Sequence, residues 1–179
     1  MDNITKYTAA LIISQPDKKD IKAKLISLWQ RYVMRDKGYR YTHTALWFDG
    51  VYYESTFNGY FVKEADQVIL PRLLQTDDFI YYFHPSKDMV DGFYERLAEF
   101  ENKKLEWKEF YRIALGLGNK EPVCTQFIAR LCNLNIQLEG SIMPLITPLN
   151  LLKYVMSSYQ FGRLYISNSR ELDEFILLV

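Results

Sequence analysis

Apolar and polar residues follow one another along the chain in patterns that predict both strands and helices. Residues 7–14 form a short apolar run closed by a Gln-Pro-Asp turn, which indicates a first strand. From Asp20 onward, apolar residues recur at intervals of three and four, so the pattern predicts an amphipathic helix that Gly38 ends. The apolar positions of that helix are Ile21, Leu25, Leu28, Trp29 and Tyr32.

The rest of the chain adds strands and helices without regular βαβ alternation. Further strands are predicted at residues 67–70 and 79–83, and one or two more at 162–166 and 174–179. Helices are predicted at four places: from a Ser86 cap through Phe100, over residues 105–115, from Pro122 through Leu134, and from Thr147 with Pro148. The chain has no internal repeat and no break in composition. The sequence therefore predicts one α+β domain over residues 1–179.

Composition narrows the classes of function. Hydrophobic residues make up 49% of the 179 residues and charged residues 25%, which is typical of a globular domain and excludes general disorder. The 22 basic and 22 acidic residues cancel, so the chain has no global field toward nucleic acid or anionic lipid. No run of about 18 apolar residues predicts a membrane span, and no export signal is recognised. We therefore expect a cytoplasmic protein with reduced thiols that binds no nucleic acid, while its oligomeric state stays open.

A hairpin centred on Asp49-Gly50 is the most informative stretch. This dipeptide favours a two-residue type I′ turn, which fixes the register of the flanking strands. The register predicts the pairs Phe48–Val51, Trp47–Tyr52, Ala45–Glu54 and His43–Thr56. Residues two apart on a strand share a face, so His43 and Glu54 lie diagonally on one side, within reach of a hydrogen bond.

The hairpin face admits a functional and a structural interpretation. Histidine is scarce, and His43 with an oriented carboxylate at Glu54 fits general-base chemistry near neutral pH. Equally, His43 could be a half-exposed strand residue with an incidental acidic neighbour. Trp47 and Tyr52 on the same face would suit the wall of a substrate site, with core packing as the alternative. The second histidine, His84, is assigned a structural place at the end of a strand.

The two cysteines differ in their surroundings. Cys124 falls in the first turn of the helix that Pro122 opens, where free N–H groups and the helix dipole favour a thiolate and could hold an oxyanion. A structural thiol is the alternative. Cys132 lies deeper in the predicted helix as a small buried hydrophobe. A disulfide between them is excluded because eight residues of helix span about 12 Å. No group of ligands has zinc spacing, so neither a metal nor a cofactor is expected.

Three segments together resemble the circularly permuted, YiiX-like branch of the NlpC-type papain-like enzymes. They are 42–47 (THTALW) running into 52–55 (YYES), 123–128 (VCTQFI), and 146–152 (ITPLNLL), in an order that places the histidine strand before the cysteine helix. The similarity covers residues 42–159 and leaves the N-terminal strand and helix of residues 1–40 unmatched. The family tends to have an aromatic residue before the cysteine and Ser-Glu after it, whereas this chain has Val123, Thr125 and Gln126.

The resemblance implies a permuted papain-like fold in which an antiparallel sheet packs against the Cys-bearing helix. It also implies Cys124 as nucleophile, His43 as general base and Glu54 as the residue that orients the imidazole. The expected activity is a thiol-dependent hydrolase or acyltransferase that cleaves an amide or ester in a cell-wall peptide or a lipid-like acyl substrate. An enzyme carried by a virus would need no export signal. The alternative function is a catalytically silent papain-like module that binds a partner.

Overall fold

The computed structural model describes the greater part of the predicted domain. It covers residues 9–15, 21–56, 59–64, 79–101, 123–134, 147–159 and 163–166, with 103, 108, 109 and 112 in addition. The strands predicted at 67–70 and 174–179 lie outside the described residues. Of the helix predicted at 105–115, residues 108, 109 and 112 are described, and all three are helical.

Within these residues, six strands form one antiparallel sheet. They are β1 (Ala9–Ser14), β2 (His43–Phe48), β3 (Val51–Thr56), β4 (Gly59–Glu64), β5 (Phe79–Phe83) and β6 (Arg163–Ile166). Their order across the sheet is β4-β3-β2-β1-β5-β6. The predicted strands at β1, β5 and β6 are confirmed, whereas β4 is absent from the prediction. All six residues of the central strand β1 are buried, because the sheet covers both of its edges and packing covers both of its faces.

The β2–β3 hairpin has the predicted turn and register. Asp49 and Gly50 both adopt positive φ, at 50° and 77°, as a type I′ turn requires. Ala45 pairs with Glu54, as the two-residue loop predicted, and the two pairs nearer the turn also match. The matched register runs from the turn to the Ala45–Glu54 pair, and the His43–Thr56 pair stays a prediction. On its other edge, His43 pairs with Ser14 of β1.

Five helices are bounded within the described residues. They are α1 (Ile21–Tyr32), α2 (Lys87–Val90), α3 (Phe93–Ala98), α4 (Cys124–Leu131) and α5 (Pro148–Ser158). The predicted caps at both Ser86 and Thr147 are confirmed, since their hydroxyl oxygens accept from the N–H of Met89 at 3.2 Å and of Asn150 at 3.3 Å. The predicted second helix is wrong as one element, because the left-handed backbone of Gly92 (φ 73°) divides it into α2 and α3.

Gly38 has a different role from the predicted one. The first helix ends at Tyr32, well before this glycine. A Cβ atom at Gly38 would lie 2.5 Å from Cδ2 and 2.7 Å from Cβ of Leu149 in α5. The absence of a side chain at Gly38 therefore permits close approach of this loop to α5, rather than terminating α1.

The sheet buries apolar side chains on both faces. On one face, α4 and α5 complete the main core around Leu11, Leu46, Tyr53, Phe127 and Leu152. On the other face lies a smaller cluster of Ala10, Ile12, Ala45, Tyr52 and Ile80. The mixture of elements confirms the α+β class, and an antiparallel sheet packs against the helix that begins at Cys124, as expected.

Candidate active site

His43 and Glu54 form the buried polar pair that the hairpin register predicts. His43 begins β2, and its Nε2 lies 3.1 Å from Oε2 of Glu54 in the neighbouring strand. The two side chains are 25% and 10% exposed, so the ion pair sits at the boundary between solvent and core. The same Oε2 accepts a hydrogen bond from the Tyr52 hydroxyl at 3.4 Å. The carboxylate thus fixes one ring nitrogen of His43 and leaves Nδ1 for another partner.

Cys124 is the first residue of α4. Val123 is its N-cap, with an extended backbone, and the Gln126 side chain accepts a hydrogen bond from the Val123 N–H at 3.1 Å. The predicted opening at Pro122 itself lies outside the described residues. The Cys124 thiol is half-buried and lies 4.0 Å from the Thr42 carbonyl oxygen, adjacent to His43 in sequence. The fold therefore brings the start of α4 to the start of β2.

The imidazole and the thiol are coupled electrostatically. Burial alone lowers the pKa of His43, but hydrogen bonds to Cys124 and Glu54 and the charges of both groups outweigh it, raising the pKa to about 9. A histidine with that pKa remains protonated at neutral pH when its two neighbours are anionic. The side chains of Cys124, His43 and Glu54 consequently form one electrostatic unit.

The pKa of the Cys124 thiol shifts the opposite way. Burial raises it, and this largest single effect is overcome by the hydrogen bond and charge of His43, with a backbone contact from Thr44, so that the pKa is lowered overall. The Thr44 hydroxyl contributes less, since it has no partner within hydrogen-bonding distance. The arrangement favours a thiolate–imidazolium pair, the reactive form of a nucleophilic cysteine.

The two residues predicted to contact substrate, Tyr52 and Trp47, differ in burial and in their contacts. Tyr52 is fully buried in the smaller cluster and donates to Glu54, so it positions the carboxylate and is too enclosed to form a substrate wall. This burial agrees with packing, the alternative considered for Tyr52. Trp47 is partly buried on the same face and meets the Tyr82 ring edge-on at 6.0 Å. Thus the structure groups Tyr52, but not Trp47, with the triad.

The other cysteine and histidine stand apart from this site. Cys132 is buried as predicted, but it lies in the turn just after α4 and not within the helix. Burial raises the pKa of its thiol to about 12. His84 is exposed directly after β5. Within the described ranges, no three His, Cys, Asp or Glu side chains are grouped to hold a metal ion.

Sequence reasoning missed three neighbours of the reactive pair: Thr42, Thr44 and Gln126. Thr42 and Thr44 flank His43, and their backbone groups face a thiol 80 residues later in the chain. Only the packing of α4 against β2 shows this. Gln126 had a local signal, because a glutamine three residues after an N-cap position often reaches back to the cap N–H.

Compared with known proteins, the chain matches no family model, no curated protein and no solved structure. In the part of the chain that is described, no helix is both long and apolar enough to cross a membrane.

Proposed function

We propose that the protein is a thiol-dependent hydrolase or acyltransferase with Cys124 as nucleophile, His43 as general acid and base, and Glu54 as the residue that orients the imidazole. The main support is the electrostatic coupling between the Cys124 thiol, at the start of α4, and the His43 imidazole. Nε2 of this imidazole lies 3.1 Å from the buried Glu54 carboxylate. A silent binding module would require no such thiolate–imidazolium pair. The convergence therefore supports the enzyme over that alternative.

The chemistry begins with the thiolate. The sulfur of Cys124 attacks the carbonyl carbon of an amide or ester, and the carbonyl π electrons move to oxygen. Free N–H groups at the start of α4, including that of Cys124, are suited to stabilise this oxyanion. His43 then donates its proton to the leaving nitrogen or oxygen as the bond to carbon breaks, leaving a thioester on Cys124.

The second half restores the enzyme. Neutral His43 takes a proton from water as the water oxygen attacks the thioester, and the thiolate leaves as the carboxylic acid forms. With an alcohol or amine in place of water, the same steps transfer the acyl group. Throughout, Glu54 stabilises the imidazolium by accepting from Nε2. The substrate class that we propose is a cell-wall peptide or a lipid-like acyl ester or amide.

The fold that we propose is permuted and papain-like. Its support is the order of the site along the chain, with the histidine strand β2 preceding the cysteine helix α4, and the packing of α4 against β2 and β3. Thr147 and Pro148 begin α5 as the closing helix of the resemblance requires. Val123, Thr125 and Gln126 still depart from the family pattern. All three are buried, and Gln126 caps the helix, so these departures alter packing rather than the reacting groups.

A thiol-directed probe tests the proposal. Incubation with iodoacetamide at pH 7 should label Cys124 rapidly and leave Cys132 unlabelled, because only Cys124 is both accessible and low in pKa. Cys124→Ser should abolish labelling, His43→Gln should slow it, and Cys132→Ser serves as the matched control with unchanged labelling. A panel of nitrophenyl esters and N-acyl nitroanilides then measures turnover. A Cys124→Ser variant as active as the parent, or a parent thiol that stays unlabelled, would contradict the proposal.

A further inference from the structure

The first helix turns its apolar stripe away from the protein. Four side chains one turn apart along α1 are largely exposed: Ile21 (71%), Leu25 (56%), Leu28 (50%) and Tyr32 (67%). Spacings of four, three and four residues place them in one line along the helix. On the opposite side, Ala23 and Gln30 are buried. The amphipathic pattern therefore forms the predicted helix, but with its apolar side outward.

Contacts on the inner side hold this orientation. With its NH2 group turned inward, Gln30 donates to the carbonyl oxygens of Tyr39 and Tyr41, each at 3.2 Å. These two residues belong to the segment that leads to His43. A rotation that buried the stripe would expose Gln30 and break both hydrogen bonds. The outward orientation of the stripe is therefore stabilised by the Gln30 hydrogen bonds and by the burial of Ala23.

Positive charge accompanies the stripe. Residues 21–35 contain four basic residues and no acidic one, although the chain as a whole is neutral. Lys24, Arg31 and Arg35 are exposed. The next acidic residue, Asp36, accepts a hydrogen bond from the Gly38 N–H at 2.9 Å, so its carboxylate is turned to the backbone. The outer side of α1 is consequently apolar along its centre and basic beside it.

We propose that α1 is an interfacial helix that docks on the surface of a membrane containing anionic lipid. An exposed apolar stripe with basic residues beside it inserts into the boundary between headgroups and acyl chains, while lysine and arginine meet the lipid phosphates. The area argues against a second copy of the chain as occupant. Four side chains present roughly 250–500 Å², whereas a stable dimer needs about 800 Å² on each partner.

The docking helix is linked along the chain to the candidate active site. Residues 33–42 connect the end of α1 directly to His43, and Gln30 ties the helix to that connection. Delivery of an acyl lipid to Cys124 from this surface rests on the proposed function. Docking itself does not, because none of the triad residues belongs to the stripe.

Vesicle sedimentation tests the docking surface. The full chain is mixed with vesicles of phosphatidylcholine, with or without phosphatidylserine, at low and high salt. We expect binding to the anionic vesicles that weakens with salt. Leu25→Gln with Leu28→Gln should lower the vesicle partition coefficient about tenfold or more, and Lys24→Gln with Arg35→Gln roughly tenfold. Val62→Gln is the matched apolar control, since Val62 is 55% exposed on β4, and Lys87→Gln on α2 is the charge control.

Three results would overturn the inference. They are no binding to anionic vesicles, equal loss in the Val62→Gln control, and a lipid-free dimer that the leucine variant dissociates. The outcome is separable from that of the enzyme proposal. Cys124→Ser should bind vesicles like the parent, so labelling of the thiol and docking of α1 succeed or fail independently.

Discussion

Replacing Glu54 with glutamine removes the charge beside His43 and keeps the shape of the side chain. In the parent, Oε2 of Glu54 accepts from Nε2 of His43 at 3.1 Å and from the Tyr52 hydroxyl at 3.4 Å. The carboxylate is one of the groups that raise the pKa of His43 to about 9. In Glu54→Gln the imidazolium retains at most a neutral acceptor, so we expect its pKa to fall.

The magnitude follows from the hydrogen bond. A bond between charged groups contributes about 1.5–3 kcal/mol and one to a neutral group about 0.5–1.5 kcal/mol. The midpoints of the two ranges differ by about 1.2 kcal/mol, which corresponds to roughly one pKa unit. Bare Coulomb attraction would give more, but the pair is 25% and 10% exposed, so solvent screens it. A weaker imidazolium stabilises the Cys124 thiolate less, and the pKa of that thiol should rise.

The assay is the rate of iodoacetamide alkylation as a function of pH. Below the lowered pKa of the Cys124 thiol, Glu54→Gln should react up to about tenfold more slowly than the parent. Above the pKa of the thiol in the variant the two rates should converge, because both thiols are then ionised. Tyr52→Phe is the matched control, since it removes the 3.4 Å hydrogen bond to Glu54 and keeps the carboxylate, so it should slow alkylation less. A folded Glu54→Gln variant with the parent pH profile would refute the electrostatic coupling of the triad.

Other consequences of the structure concern pH and stability. Hydrolysis should fall as pH rises through about 9, because His43 then loses the proton that it gives to the leaving group; a flat alkaline limb in the pH–rate profile would count against this. In urea unfolding, Phe127→Ala should lower the free energy of unfolding by about 3–5 kcal/mol, because it leaves a cavity at a fully buried position of the main core. A decrease below 1 kcal/mol would show that the core collapses around the site. Gly38→Ala should lower the free energy of unfolding by about 1–3 kcal/mol, because the new Cβ would overlap the Leu149 side chain. Gly50→Ala should cost only about 1–2 kcal/mol through its positive φ, since its Cβ would meet nothing; equal and negligible costs for both glycines would contradict the two mechanisms.

Local signals in the sequence account for most of the confirmed elements. The Asp49-Gly50 turn fixed the register of β2 and β3 because a two-residue loop admits one pairing. Ser86 and Thr147 marked helix starts because their hydroxyls satisfy N–H groups within the same turn. Each of these turn and capping signals involves only three or four consecutive residues. The sequence therefore predicts these elements without knowledge of the rest of the fold.

The errors arise where the hydrophobic pattern does not report the deciding feature. The pattern after Ser86 predicts one helix, whereas the left-handed backbone of Gly92 divides it in two. Tyr52 was placed on the correct face of the hairpin, but its burial depends on β1 and β5, which the hairpin pattern does not include. Likewise, the spacing in α1 predicts an amphipathic helix without saying which side the protein covers.

The position of the site explains why a thiol so close to the core remains available for chemistry. Strand alternation places His43 on the face of Ala45, in the smaller cluster, whereas α4 packs on the opposite face with Leu46. Cys124 and His43 nevertheless interact, because each is the first residue of its element and the two elements begin side by side. One residue further along α4, Thr125 is already buried. The start of β2 is therefore where the thiol at a helix N-terminus can approach an imidazole on the other face of the sheet, with both groups still partly exposed to solvent.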